Sequence, residues 1–305
     1  MAKPLYDLRH LTWFERTVAM GNITRAATSL NMSQPTLSKA LRRLEEQVGA
    51  PLLIREPTGI RPTPLGERLV RHARLIRTQV SEAMDDVREA GEGRTGRIRI
   101  GAGPSWVRRL LPDAAATLLR DRPGLALDVA GGFDESLLRL LADGELDLVL
   151  AERPIDENDR SPFDFTPLSS DHLVVCGRRE HPIAEGRVEA SAALAARWAL
   201  PPAHTLARRK LDGRAISLGL APPVAAVTSA SLAFLSGVAM RSDLLLYTTR
   251  SIMSEAGGRL QEIDAPSLVT KREAGLIVRR PTLLTPAMGA LIDALVNACA
   301  ADPVN

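Results

Sequence analysis

Hydrophobic positions in the first ninety residues recur at three- and four-residue intervals, the repeat of helices with one buried face. Leu11, Phe14 and Val18 mark a helix over 8–20 that Gly21 ends. Residues 21–49 predict two more. Asn22 stands as an N-cap before the small apolar face of Ala26, Ala27 and Leu30, Asn31 and Met32 fill a turn, and Ser33 caps a second helix with Pro35 in its first turn. On a 3.6-residue wheel this second helix sends Leu37, Leu41, Leu44 and Val48 to one side and Pro35, Lys39, Arg42 and Glu46 to the other. Gln34, Ser38 and Arg43 flank the polar side. Prolines, Gly59 and the β-prone pieces 52–54 and Ile60 predict a two-stranded wing over 50–64. A long helix follows over 65–90, with Leu69, Ala73, Ile76, Val80, Ala83 and Val87 alternating four- and three-residue steps. A helix resting on its own domain would give a similar stripe. The strict alternation, with Arg68, Arg71, Arg74 and Arg77 around it, favours a two-chain coiled coil, and the glycines of 91–96 read as a hinge.

Beyond the hinge the pattern changes to alternating strand and helix. Strands at 97–101, 125–130 and 146–151 enclose helices at 107–120 and 135–141, a β-α-β-α-β series that implies a parallel sheet with right-handed crossovers. A second series follows, with strands at 172–177, 198–200, 224–227 and 244–247 and helices at 206–218 and 231–240. A strand at 275–278 and a helix at 286–300 close the chain. Two α/β lobes are therefore expected, with chain crossings near 167–170 and 266–273.

Charge sharpens this division. Residues 1–80 hold thirteen Lys/Arg against six Asp/Glu, a net +7, whereas 81–305 hold twenty-six against thirty, a net −4. A basic segment on a mildly acidic body is the electrostatic footprint of a nucleic-acid-binding module joined to a separate unit. Amide and guanidinium forks on the polar side of the 34–48 helix match base edges, and its cations match phosphates, although an ordinary surface helix also carries such charges. Cys176 and Cys299 fit neither a disulfide framework nor a zinc site and read as small buried hydrophobes. With no apolar leader and no apolar run of spanning length, the expectation is a cytoplasmic protein without a membrane partner.

Catalytic patterns fail. Gly101-Ala102-Gly103 lacks the third glycine of a dinucleotide loop, Ser105 is not in a Gly-x-Ser-x-Gly elbow, and the five histidines have no metal-ligand spacing. The chain is therefore expected to be no enzyme and to hold no metal and no cofactor. What the body offers is a small-ligand site beyond the carboxyl ends of its strands. Those ends are Pro104, Ser105 and Trp106, then Gly131, then Glu152, and in the second lobe Pro202, His204 and Thr205. Helix N-termini there favour an anionic or hydroxylated ligand, and Trp106 offers a flat apolar face. Simple N-capping by Ser105 and Thr205 is an equal reading.

The run A-A-x-x-L-x-x-S-Q-P-x-L-S-K-x-L-R-x-L-E, filled by residues 26–45, resembles the winged helix-turn-helix of LysR-type transcriptional regulators. Gly49, the 51–55 segment and the 62–66 turn are similar to that family's wing and the start of its linker helix. Pro64 departs from the usual Leu-Thr-x-x-Gly. The resemblance implies an α+β multidomain chain: a winged helix-turn-helix over 1–63, a coiled-coil linker helix and hinge over 64–94, and a two-lobed α/β domain like the type 2 periplasmic binding proteins over 95–305. Lobe I would span about 95–168 and 270–305, and lobe II about 169–269. It further implies a homodimer through the linker helix, assembly into tetramers, and a small-molecule inducer between the lobes that modulates binding to double-stranded promoter DNA. Gln34, Ser38 and Arg42 become candidates for base edges. Lys39 and Arg43 suit phosphates, and Ser33, Pro35, Thr36, Arg55, Thr58, Arg61 and Thr63 complete the expected DNA face. The rival reading is an enzyme or small-molecule binding protein with a DNA-binding appendage.

Overall fold

The computed structural model describes residues 7–56, 59–92, 95–154, 161–280 and 284–300, apart from the side chains of 81, 82 and 85–95. It divides into two compact units, one of residues 1–93 with 142–145 and the other of 94–141 and 146–305.

The first unit opens with α1 (Leu8–Met20), α2 (Ile23–Ser29) and α3 (Gln34–Val48), continues through the hairpin β1 (Leu53–Glu56) and β2 (Gly59–Pro62), and ends in α4 (Pro64–Glu92). The caps are those the sequence offers. Asn22 Oδ1 accepts from the amides of Thr24 (2.9 Å) and Arg25 (3.1 Å), and Gly21 and Gly49 close α1 and α3 at φ of 60° and 77°. Leu11, Phe14, Ala26, Ala27, Leu37, Leu41, Leu44 and Leu52 form one core. Val48 does not join it and is exposed, while Ala40 is buried in its stead. The buried set of α3 is i, i+3, i+4, i+7 from Leu37 and stops one turn before the helix does.

The expected seam of α4 also divides. Ala73 is buried in this unit's own core and Leu69 packs against it, beside the buried Val70, so the first two positions are taken within the chain. Ile76, Val80 and Met84 are exposed. Val87 lies outside the described side chains. Two of the arginines are paired: Arg77 meets Glu15 of α1 at 3.1 Å, and Arg74 meets the same carboxylate at 3.6 Å. The glycine-rich hinge is shorter than expected, because α4 runs to Glu92 and the next strand begins at Thr95, where ladder pairing with Gly124 and Leu125 draws Thr95 and Gly96 into the sheet.

The second unit begins with β3 (Thr95–Ala102), a π-helical turn over Trp106–Leu110, α5 (Leu111–Asp121), β4 (Gly124–Gly131), α6 (Asp134–Ala142) and β5 (Leu148–Glu152). It continues through β6 (Phe163–Arg178), α7 (Ala190–Ala195), β7 (Trp198–Leu200), α8 (Leu206–Ser217), β8 (Ala225–Thr228), α9 (Leu232–Ala239), β9 (Leu245–Thr249), α10 (Arg250–Ser254) and β10 (Leu260–Glu262). After β11 (Thr270–Arg279) the described chain ends in α11 (Pro286–Ala300). β3 pairs in parallel with β4 and β5, as the β-α-β pattern predicts.

The lobes do not have separate sheets. Among the described residues one nine-stranded sheet runs β4-β3-β5-β11-β6-β9-β7-β8, with β10 on β6. The long antiparallel pair β6 and β11 passes through both lobes. The ladder shifts register between Ala274 and Gly275, close to the expected crossing. A Cβ on Gly275 would stand 2.0 Å from the Thr166 carbonyl oxygen, so this approach of the two strands requires glycine. Ile98, Ile100, Leu148 and Leu150 pack under α5 and α11 in the first lobe, and Leu173, Val175, Trp198 and Leu245 pack on Leu211 of α8 in the second. Cys176 and Cys299 are buried and form no disulfide, and burial pushes the Cys176 thiol up to about 12.

Candidate functional site

In the first unit α3 docks by its apolar side and leaves Ser33, Gln34, Pro35, Thr36, Lys39, Arg42 and Arg43 exposed, with Ser38 half-buried. Ser33 Oγ accepts from the Thr36 amide at 3.3 Å, starting the helix, and Gln34 Nε2 donates to Ser38 Oγ at 3.1 Å. The helix is fastened to the hairpin by Glu45, whose Oε1 accepts from the amides of Leu52 (2.8 Å) and Leu53 (3.1 Å). Glu45 lies inside the motif, but its role depends on a partner segment that no periodicity shows. On the hairpin, Arg55 is exposed and Arg61 Nε donates to Glu56 at 2.6 Å. Thr58 lies outside the described residues. Thr63 is half-buried at the start of α4. Its hydroxyl donates to the Pro51 carbonyl and accepts from the Gly66 amide, both at 3.0 Å, so it starts α4.

In the second unit the lobes enclose a cleft of about 60 Å³. Pro104, Ser105, Phe133, Asp134, Glu152 and Arg272 line one side, and Leu173, Pro201, Leu206, Ala207, Leu232, Tyr247, Thr248, Thr249 and Ile252 line the rest. An outer vestibule of about 610 Å³ shares Asp134, Glu152 and Leu206 with it. Three of the expected residues, Pro104, Ser105 and Glu152, therefore meet in the cleft. Ser105 makes no cap bond. Its Oγ accepts from Arg272 Nη1 at 3.1 Å, which decides against capping there.

The other expected residues lie elsewhere. Trp106, the first residue of the π-helical turn, is buried in the core of its lobe. Gly131 ends β4 outside the cleft lining, and Pro202 and His204 sit in the turn before α8, with His204 exposed. Thr205 is fully buried, and its hydroxyl donates to the Pro202 carbonyl at 2.8 Å. From this stretch of the second lobe the cleft is lined instead by Pro201 and by Leu206 and Ala207, the two residues that follow Thr205.

Charge in the cleft is arranged around Glu152. Arg272 Nε stands 3.4 Å from its Oε2, and Lys210 Nζ contacts its Oε1 from α8 across the cleft. A second pair, Arg209 Nη2 to Glu135 Oε1 at 2.9 Å, also joins the lobes, as does Arg108 Nε to Glu255 Oε2 at 2.9 Å. Asp134 sits beside these groups. Burial, with the Glu152 and Glu135 carboxylates adding to it and Arg272 opposing, pushes it up to about 6.

A family model described as the LysR substrate binding domain matches residues 91–300, and one described as the bacterial regulatory helix-turn-helix protein, lysR family, matches residues 8–67. The HTH-type transcriptional regulator GbpR of Azospirillum brasilense is 32% identical over 252 residues, 82% of this chain and 73% of that protein. The regulator GalR of Pseudomonas putida is 30% identical over 298 residues, 94% of this chain and 73% of that one. In fold, the chain is similar to ArgP from Mycobacterium tuberculosis, at a TM-score of 0.75 and 19% identity over 97% of this chain and 98% of that one. It is also similar to full-length CbnR in complex with its target DNA, at 0.65 and 18% over 96% and 100%. The motif at residues 26–45, the long helix after the wing and the two-lobed domain behind it thus belong together, and the chain is a member of the LysR family of transcriptional regulators.

Proposed function

We propose that this chain reads promoter DNA with α3, pairs with a second copy through α4, and is controlled by a small effector held between the lobes of its C-terminal domain. The observation that carries the reading is the outer face of α3, where Gln34, Ser38, Lys39, Arg42 and Arg43 stand together on a helix whose other side is docked on α1 and α2. Gln34 and Arg42 suit base edges in the major groove, with Ser38 between them, while Lys39, Arg43 and the wing residue Arg55 suit phosphates. The working units are a DNA-binding domain over 1–63, a linker over 64–94 and an effector domain over 95–305. Dimers associate into tetramers through the effector domains. The protein works in the cytoplasm, where its DNA is, and as a regulator rather than an enzyme. The two relatives above are themselves named as regulators, which favours this reading over an enzyme with a DNA-binding appendage.

Control follows from linkage. A ligand that touches both lobes stabilises the closed form by its extra affinity for that form, and the change in lobe geometry alters how dimers assemble on DNA. The test is a gel-shift titration of Gln34→Ala and Arg42→Ala on the chain's own operator. Each is expected to lose ~1–3 kcal/mol and to relax sequence preference at one position. Unchanged affinity and preference in both variants would remove α3 as the reading helix.

A further inference from the structure

Four features of the cleft limit the charge of what it can hold. The cation that lines it, Arg272, is engaged by Glu152 and Ser105, and the cation at its mouth, Lys210, is engaged by the same carboxylate. Of the helix N-termini around the cleft, those of α6, α9 and α10 already carry groups of the chain, whereas α8 starts at Leu206 without a side-chain cap, so its first amides can serve a ligand oxygen, neutral or charged. The first turn of α6 holds Asp134 and Glu135, Ser231 Oγ caps α9 at the Phe234 amide, and Asp171 accepts from the Ser251 amide in α10. Asp134 faces the cleft and the vestibule with no ion pair of its own among the described residues. Two cations and two carboxylates leave the cleft no net charge for a carboxylate ligand to neutralise, and both cations already share a carboxylate partner. The lining nevertheless holds acceptors in Asp134 and Glu152, donors in Arg272, and the hydroxyl of Ser105, set among apolar side chains such as Phe133 and Leu206.

We propose that the cleft takes an uncharged, polyhydroxylated ligand, and that Asp134 sets this preference by accepting from ligand hydroxyls while Arg272 and Ser105 serve the ligand's oxygen atoms. The inference rests on the cleft being the effector site, as argued above, and adds the ligand's chemical class. Several hydroxyls answer the several polar groups around the cavity, and the C–H faces of a compact ring or chain answer the apolar ones. Simple carboxylates are disfavoured because Asp134, without an ion pair among the described residues, repels them in a partly desolvated space, while Glu152 is already neutralised by Arg272 and Lys210. The cleft of about 60 Å³ holds only part of such a molecule, so the remainder extends past Asp134 into the vestibule of about 610 Å³.

The experiment is isothermal titration calorimetry of the full chain against neutral aldoses, alditols and cyclitols, the aldonic and uronic acids of the same skeletons, and phenols. At least one neutral polyol is expected to bind, with its acid counterpart at least tenfold weaker. Asp134→Asn keeps the side chain's shape, and it should weaken the polyol at least tenfold while shrinking the discrimination against the acid. Binding of an acid more tightly than its neutral counterpart, a discrimination ratio unchanged in Asp134→Asn, preference for a phenol, or binding of no neutral polyol overturns the proposal. Ala207→Trp, which fills the cleft, separates this from the underlying reading. Loss in that variant of whichever compound binds upholds the cleft as the site even if the class is wrong, and retention of binding removes the cleft itself.

Discussion

Arg272 and Ser105 are 167 residues apart in sequence and hydrogen-bonded at 3.1 Å in the fold, Nη1 donating to Oγ. The same guanidinium lies beside Glu152, and both members of that ion pair are nearly withdrawn from solvent, with side chains 9% and 5% exposed. The wall of the cleft is thus held by a polar cluster contributed by three separated segments. Breaking one member leaves another charge buried without its partner, which costs more than an exposed pair gains.

Glu152→Met and Arg272→Met should therefore each lower stability by ~3–5 kcal/mol, and the double variant should lose clearly less than the sum. Arg209→Ala, which removes an exposed pair between the lobes, should cost only ~0–1 kcal/mol. Urea denaturation followed by circular dichroism reads all four proteins. Additive losses in the double variant would mean that the two side chains do not act as a pair.

Glu45 should matter to the wing and not to base reading. Its Oε1 serves two amides of the chain entering β1. Glu45→Ala leaves both without that acceptor, at a cost of ~1–3 kcal/mol in the first unit. DNA affinity should fall alike for all sequences, because the wing loses its fixed position while Gln34 and Arg42 stay on their helix. A selective loss for one base position, measured with a panel of operator variants, would contradict this.

Dimerisation should depend on the outer half of α4. Ile76, Val80 and Met84 expose apolar surface on this helix, with Val80 50% exposed, while Leu69 and Ala73 are occupied by the chain's own core. Val80→Asp puts a charge without a partner into a two-stranded seam and should shift the protein towards monomer in light scattering. Ala73→Asp should instead unfold the first unit. A fully dimeric Val80→Asp protein would move the interface off this stripe.

Stability should respond to pH through Asp134. Its folded value, about 6, lies above the ordinary aspartate value of 3.8, so the folded protein holds this proton more tightly than the unfolded chain. The resulting contribution is full below about pH 4 and is lost as pH rises through 6, on the order of 3 kcal/mol at most. Asp134→Asn should remove that slope, leaving the variant's thermal midpoint less dependent on pH between 5 and 7.5 than the wild type's. An unchanged pH profile in Asp134→Asn would show that Asp134 does not carry this proton linkage.

The sequence by itself determined what depends on neighbours along the chain. Helix caps at Asn22 and Ser33, the stops at Gly21 and Gly49, and the parallel β3-β4-β5 group all follow from local periodicity and turn chemistry, whose partners lie within a few residues or one crossover. Ser105 and Glu152 were legible for the same reason, since strand ends in such sheets face ligands. Tertiary structure decided the rest. Residues 163–170 read Phe-Asp-Phe-Thr-Pro-Leu-Ser-Ser, with no sustained apolar run, and become strand only because β11 pairs along their whole length. Trp106 opens a π-helical turn that no spacing announces and is buried in the core of its lobe, and Thr63 spends its hydroxyl proton on the carbonyl of Pro51, on the chain entering the hairpin. Asp134 and Arg272 gain their meaning from a cleft assembled from distant segments, because the burial and charge around a side chain are properties of its neighbours in space.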